Sequence, residues 1–358
     1  MNTTGQRVAK NATVLMASQL TTWLLTLLLT LFLPRFLGAR AVGQFHFANS
    51  LWAIVAMAVT FGMDRYLTKE IARTAVPDTL NGRSRAAHLF GVTLLARTLL
   101  YLLGFGGVAL YLALLDYPPE TAQVVLVIGV AQLLWQYVSA ATAVLQGLEQ
   151  MQAISIGSIA GKALNTVVAI ALLLLGYGVL PVAAVTIGAA LANLLVLLHA
   201  LRRSLPLRPS LHPRAVGHAL RASARMLRAS ATYLFTQLSL VIYMQVDIIL
   251  ISLLVDETTI GWYGAADQLF GTLLFIPTVF MTAVFPALSR LYTTDTGSLQ
   301  RLTSKSFDLL LLLSVPIGLG LLVVAGPAVV LLFGAEFAPS GPVLAVFGIV
   351  LILTYQNM

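Results

Sequence analysis

Ten stretches of about 20 mostly apolar residues follow one another along this chain. They lie at roughly 12–34, 44–63, 88–115, 121–145, 153–175, 181–201, 229–254, 261–288, 307–333 and 340–358. Each is long enough to cross the hydrocarbon core of a bilayer as a helix. A water-soluble fold cannot hide so much apolar surface, because a single core stops growing near 250–300 residues. Of the 358 residues, 59% are hydrophobic and 9% charged, so the surplus faces lipid. The reading is an all-α polytopic membrane protein, a helical bundle of about ten spans. Ala12 to Leu33 follows Arg7 and Lys10 as a signal peptide would, but its 22 residues exceed a signal h-region. The prolines at 277, 286, 316 and 327 are tolerated in packed membrane helices.

Lys and Arg placement sets the orientation. With the N-terminus in the cytoplasm, the inner segments hold Arg7, Lys10, Arg65, Lys69, Arg73, Arg83, Arg85, seven Arg in 202–228, Arg290, Arg301 and Lys305. The outer loops hold only Arg35 and Arg40, and Arg97 and Lys162 fall inside spans. This asymmetry also explains the net charge of +8 without a nucleic-acid partner. The expected location is the inner (cytoplasmic) membrane.

The longest polar segment, 202–228, divides the chain after six spans. Arg214, His218, Arg221, Arg225 and Arg228 recur at steps of four and three, which puts them on one helical face. The pattern predicts an amphipathic helix on the anionic inner leaflet, with membrane lipids as partners. The plainer reading is a solvated basic linker.

The two sides of this linker resemble each other. At an offset of 218 residues, Gln19-Leu20 falls on Gln237-Leu238, and Ala41-Val42-Gly43-Gln44-Phe45 on Thr259-Ile260-Gly261-Trp262-Tyr263. Ala48 meets Ala266, Asn49 meets Asp267, and Leu51 meets Leu269. Six spans per copy make the copies parallel repeats around an axis along the membrane normal, an arrangement some transporters use. The expected organisation is an N-lobe at 1–201, a basic linker at 202–228 and a C-lobe at 229–358. The C-lobe then holds four spans of an expected six and reads as truncated.

Lys10-Asn11, Gly43-Gln44-Phe45, Asp247-Ile248-Ile249-Leu250-Ile251 and Ile260-Gly261-Trp262-Tyr263-Gly264-Ala265-Ala266 resemble the polysaccharide-biosynthesis flippases. These are the O-antigen-type translocases of the multidrug/oligosaccharidyl-lipid/polysaccharide exporter superfamily. The resemblance implies two six-helix lobes around a central cavity. It also implies export of a polyprenyl-pyrophosphate-linked glycan by alternating access.

Ionisable side chains inside spans are costly and are functional candidates by default. Arg97 and Lys162 each lie eight or nine residues from the inner end of their span, which is about 12–14 Å deep. A guanidinium and an ammonium at that depth suit an anionic headgroup such as a pyrophosphate. Ser155, Ser158, Lys162 and Asn165 make one polar stripe at helical spacing; Gln132, Gln136 and Ser139 make another. The opposing reading lets both cations snorkel to the inner interface. Asp247 and Asp267 lie near the outer ends of their spans, and Asn49 is the repeat counterpart of Asp267. They are candidates for coupling to H⁺ or Na⁺, against a structural role in which the acids accept hydrogen bonds from Tyr243, Tyr263 or backbone.

No further cofactor is expected. There is no cysteine for a thiolate nucleophile or metal ligand, and the five His form no zinc motif. A membrane-embedded enzyme needs a sizeable extramembrane loop with catalytic carboxylates, whereas the outer loops are about ten residues or shorter. The competing transport reading is a cation-coupled multidrug or metabolite antiporter, whose cavity calls for acids where this N-lobe offers bases.

Overall fold

The computed structural model describes residues 4–74, 80–206, 223, 224, 226–228, 230, 231, 234, 238, 239, 242 and 245–357. Its secondary structure is helical throughout, with no strand among the described residues. The helices are α1 (Thr4–Thr60), α2 (Met63–Thr74), α3 (Leu80–Leu114), α4 (Pro119–Gly147), α5 (Met151–Leu174) and α6 (Val179–Ser204). After residues 245–252, which are also helical, come α7 (Glu257–Leu273), α8 (Phe275–Thr294), α9 (Thr296–Phe333) and α10 (Ser340–Asn357).

Eight helical segments among the described residues are long and apolar enough to cross a membrane. The first, Val14–Thr60, contains two of the ten expected spans: 47 residues would reach about 70 Å, more than twice a hydrocarbon core. The two helices of this segment meet at a kink at Gly38 (φ 79°, ψ 167°), a conformation that a side chain would strain. The outer loop expected over 35–43 is therefore helical on either side of a single glycine. The basic loop expected after span 8 is likewise almost all helix, since α8 runs to Thr294 and α9 starts at Thr296. Of the seventh expected span, 229–254, only part lies within the described residues. The large exposed side chains are apolar along α3, α5 and α9: Leu103, Val167, Leu312, Val323 and Leu331 are each more than 60% exposed. In water this surface would aggregate; in a bilayer it meets lipid tails. The chain is a multi-pass, all-α membrane protein.

The helices form two compact units, Met1–Leu29 with Gln44–Val255 and Thr30–Gly43 with Asp256–Met358. These units divide the chain differently from the lobes read in the sequence. The first unit has its core where α2, α4 and α6 meet, with Leu67, Ile71, Val144, Leu145, Leu197 and Leu201 fully buried. A second set of large side chains, Trp52, Tyr101 and Phe105, stacks between α1, α3 and α4. There the indole N–H of Trp52 donates to the Val125 carbonyl at 2.7 Å, and the Tyr101 hydroxyl donates to the Gly129 carbonyl. Each polar tip is thus satisfied inside an apolar layer.

In the second unit α10 packs on α9 at Gly318 and Gly348, where a Cβ on either glycine would crowd the carbonyl of the other. The buried Tyr355 hydroxyl donates to the Leu273 carbonyl at 2.8 Å, tying α10 to α7. The start of α7 is capped by Asp256, whose carboxylate accepts from the Thr259 N–H and hydroxyl. Those hydrogen bonds hold this exposed carboxyl below the ordinary Asp range.

Candidate functional site

Three of the residues picked from the sequence, Arg97, Gln136 and Ser139, belong to one buried cluster in the first unit. Helix α1 stops at Thr60 because Phe61 (φ 49°) and Gly62 (φ 71°) both turn left-handed, and α2 then opens with Asp64 in its first turn. Arg97 of α3 is fully buried. Its Nη2 donates to Asp64 Oδ1 at 2.5 Å and its Nη1 to the Gln136 carbonyl at 2.6 Å. The second Asp64 oxygen accepts from the Ser139 hydroxyl at 2.6 Å. The Gln136 side chain closes the cluster, accepting from the Thr60 hydroxyl at 3.1 Å and donating to the Ala56 carbonyl at 3.2 Å. Arg97 is thus turned inward onto a carboxylate, not outward to the inner interface. Chemically the cluster is a neutralised ion pair that fixes the break between α1 and α2 against α3 and α4. The sequence reading missed Asp64, because nothing local links it to an arginine 33 residues away.

Lys162 stands in different surroundings. Helix α5 packs on α6 through Gly157 and Gly161: a Cβ at Gly157 would come within 2.5 Å of Asn193 Oδ1, and one at Gly161 within 2.8 Å of the Ala189 carbonyl. Elsewhere on its circumference, the Thr166 hydroxyl of α5 donates to the Leu25 carbonyl of α1 at 3.1 Å. At 100° per residue, Ser155, Ser158, Lys162 and Asn165 fall in the sector between these two contact faces. Lys162 is half-buried there, and among the described residues it has no ion-pair partner. Ser155 Oγ, Asn165 Oδ1 and, on α6, Asn193 Oδ1 are buried without a hydrogen-bond partner. The stripe therefore offers one charged donor beside unsatisfied acceptors, a set that suits a ligand bearing both phosphate and hydroxyl groups. Asn193 was not singled out from the sequence. Its only signal there was a lone amide in an apolar span.

The remaining candidates are dispersed. Gln132 is half-buried one turn before Gln136 and makes no hydrogen bond in either cluster. Asn49 donates to the Phe45 carbonyl of its own helix at 2.7 Å. Asp247 is half-buried in the first unit, within range of a charge interaction with His46, a residue the sequence reading passed over. Asp267 is half-buried on α7 in the second unit. Arg214, Arg221 and Arg225 lie outside the described residues. Arg228 is exposed, while Met226 is buried against Met63, Val92 and Ala96.

The second unit contains one more constellation, built on the repeat. Gly43 and Gly261 are 218 positions apart, and so are Ala39 and Glu257. A Cβ at Gly43 would overlap the Glu257 carbonyl oxygen, and one at Gly261 would overlap the Ala39 carbonyl oxygen. The contact is reciprocal between positions 218 residues apart. Arg40 Nε pairs with Glu257 at 2.8 Å beside it. Glu336, following α9, accepts from the Ala39 N–H at 2.8 Å, and its carbonyl accepts from the Trp262 indole at 2.9 Å.

Residues 8–292 match the family described as Polysaccharide biosynthesis protein. The chain belongs to this family. Among solved structures, this family member is similar to the inward-facing conformation of a multidrug resistance MATE family transporter of the MOP superfamily. The TM-score is 0.68 at 13% identity, covering 93% of this chain and 78% of that one. It is also similar to lipid II flippase MurJ in an inward closed conformation, with a TM-score of 0.64 at 12% identity over 97% of this chain and 74% of that one. At these identities the likeness shows the fold alone. No curated protein matches in sequence.

Proposed function

We propose that this chain is a flippase that moves a polyprenyl-pyrophosphate-linked glycan from the cytoplasmic to the outer leaflet by alternating access. In this reading it sits in the inner membrane with its N-terminus in the cytoplasm. Residues 1–201 and 229–358 act as two lobes joined by the basic linker 202–228.

The observation that carries the reading is Lys162. A half-buried ammonium with no ion-pair partner among the described residues, on one helical stripe with the unsatisfied Ser155 and Asn165 oxygens, suits an anion that also brings hydroxyl donors. A sugar diphosphate supplies both. The family's link to polysaccharide synthesis and the likeness in fold to a lipid II flippase support a lipid-borne glycan cargo. Arg97 is a poorer headgroup ligand, since Asp64 already occupies it. For coupling, Asp247 beside His46, together with Asp267, are the candidates for taking up H⁺ or Na⁺. A cation-coupled drug antiporter on the same fold calls for acids lining its cavity, and Lys162 is a base.

The test is glycan export by cells that lack their own flippase and express Lys162→Gln or Lys162→Arg at wild-type levels. Lys162→Gln is expected to abolish export and Lys162→Arg to keep part of it. Wild-type export by Lys162→Gln would remove Lys162 from the site and with it the main support for an anionic cargo.

A further inference from the structure

The second unit holds an apolar cleft with a single cation at its rim, and the transport reading uses neither. Leu31, Phe32, Arg35 and Phe36 of α1, with Leu331 and Leu332 of α9, line a space of about 350 Å³. That is the low end of ligand-sized pockets, which pair apolar walls with a few placed polar groups. Phe32 and Phe36, one turn apart, stack with ring centroids 5.8 Å apart and planes 5° from parallel, so one wall is flat and aromatic. On the other wall Leu331 is 76% exposed. Arg35 is the one polar side chain of the six. It is exposed and makes no ion pair or hydrogen bond with another described residue.

Neighbouring contacts set the depth of the cleft in the membrane. Leu331 and Leu332 belong to the last turn of α9, which ends at Phe333 before the left-handed Gly334 (φ 101°). Arg35 lies three residues before the kink of α1 at Gly38. Arg40 pairs with Glu257, the first residue of α7, and the Trp262 indole donates to the carbonyl of Glu336, just ahead of α10. Four segments of spanning length thus bend, begin or end at this level. Hydrocarbon gives way to headgroups where spans end.

The chemistry selects the occupant. A soluble anion would meet Arg35 and leave the aromatic and leucine walls bare, while an apolar cation would meet the wrong charge. A lipid phosphate with an acyl chain matches both parts. The three carboxylates at this level are already engaged: Glu257 by Arg40, Glu336 by the Ala39 N–H and Asp256 by the start of α7. A zwitterionic headgroup therefore brings an ammonium with no open partner, whereas a headgroup of net negative charge answers Arg35 alone. We propose that this cleft seats one acyl chain of an anionic phospholipid, with the phosphate on the Arg35 guanidinium. A guanidinium grips a phosphate with two parallel hydrogen bonds. The docking requires neither a particular orientation of the chain nor a particular cargo.

Two photoreactive lipids test this on the full chain in nanodiscs: phosphatidylglycerol and phosphatidylcholine with a diazirine at the same acyl position. Adducts formed on irradiation are mapped by peptide mass spectrometry. In wild type, phosphatidylglycerol is expected to label 31–36 and 331–332 about five-fold more than phosphatidylcholine, the share of one basic residue at an anionic surface. The difference should fade as salt rises. Arg35→Gln should bring labelling by phosphatidylglycerol down to the phosphatidylcholine level, and Arg35→Lys should keep part of the difference. Leu331→Trp, which fills the cleft and leaves Arg35 in place, should cut labelling by both lipids. Equal labelling of wild type by the two lipids overturns the proposal, as does a preference undiminished in Arg35→Gln. Should Arg35→Gln fail to fold, Leu331→Trp decides, since unchanged adducts there also overturn it. So does loss of the phosphatidylglycerol adducts to equimolar polyprenyl pyrophosphate, which would make the cleft part of the cargo's path.

Discussion

Removing a guanidinium from water costs several kcal/mol, and Arg97 offsets that cost through Asp64 and the Gln136 carbonyl. Its role follows from what it joins. Asp64 lies in the first turn of α2, just after the left-handed Phe61–Gly62 turn, so Arg97 fixes the break between α1 and α2. Arg97→Gln leaves Asp64 with only Ser139, and Asp64→Asn leaves a buried cation. Each is expected to lower stability by roughly 2–4 kcal/mol, below the full cost of breaking a buried pair because the Asp64 side chain is 32% exposed. The double variant Arg97→Met with Asp64→Leu should cost less than the sum of the single changes. Thermal unfolding in one detergent for all three variants measures this, and additive losses would show that the two residues do not act as a pair. The sequence made Arg97 conspicuous, as an ionised side chain within a span. It could not show whether the partner was a ligand, the interface or another helix, because that is a matter of tertiary contact. Lys162 posed the same question, and among the described residues it has no ion-pair partner.

At the scale of elements, apolar runs were legible because a membrane span is a local property of about 20 residues. The turns between them were not. Where a nine-residue loop was expected, the chain stays helical on both sides of a kink at the single positive-φ residue Gly38. Helix α2 was legible in principle, with Met63, Leu67 and Ile71 in phase with each other and Arg65, Lys69 and Arg73 on the opposite side. Counting those cations only for orientation hid the pattern. The recurring glycine of the two repeats was seen, but its purpose emerges only from the packing, where Gly43 and Gly261 let two helices cross at backbone contact. A methyl group at either position has a carbonyl in its way, not a side chain that can swing aside. Gly43→Ala and Gly261→Ala are each predicted to destabilise by about 1–3 kcal/mol through overpacking. By the reciprocity of the contact, the two losses should be similar in size. Gly106→Ala, where a Cβ meets nothing within 4 Å, should be close to neutral. Melting temperatures of the three variants check the contrast.

At the scale of the whole molecule, the 218-residue repeat acquires a mechanical meaning. Ala39 to Gly43 belongs to the first repeat and Glu257 to Gly261 to the second, so the crossing joins equivalent parts of both. Arg40–Glu257 and the Glu336 carboxylate on Ala39 reinforce it with a charge pair and a helix cap. Alternating access as proposed requires the outer ends of the two repeats to part once per cycle, and this crossing lies where they are joined. The absence of native cysteine makes a direct trial simple. Arg40→Cys with Glu257→Cys places two thiols where an ion pair now stands, within reach of a short bifunctional thiol reagent. Linked protein is expected to stop exporting glycan, while the same protein before linking, and each single cysteine variant treated with the reagent, should export at similar reduced rates. A linked protein that exports as fast as the unlinked one would make the crossing a permanent pivot, and the outer opening would then have to lie elsewhere around the repeat axis.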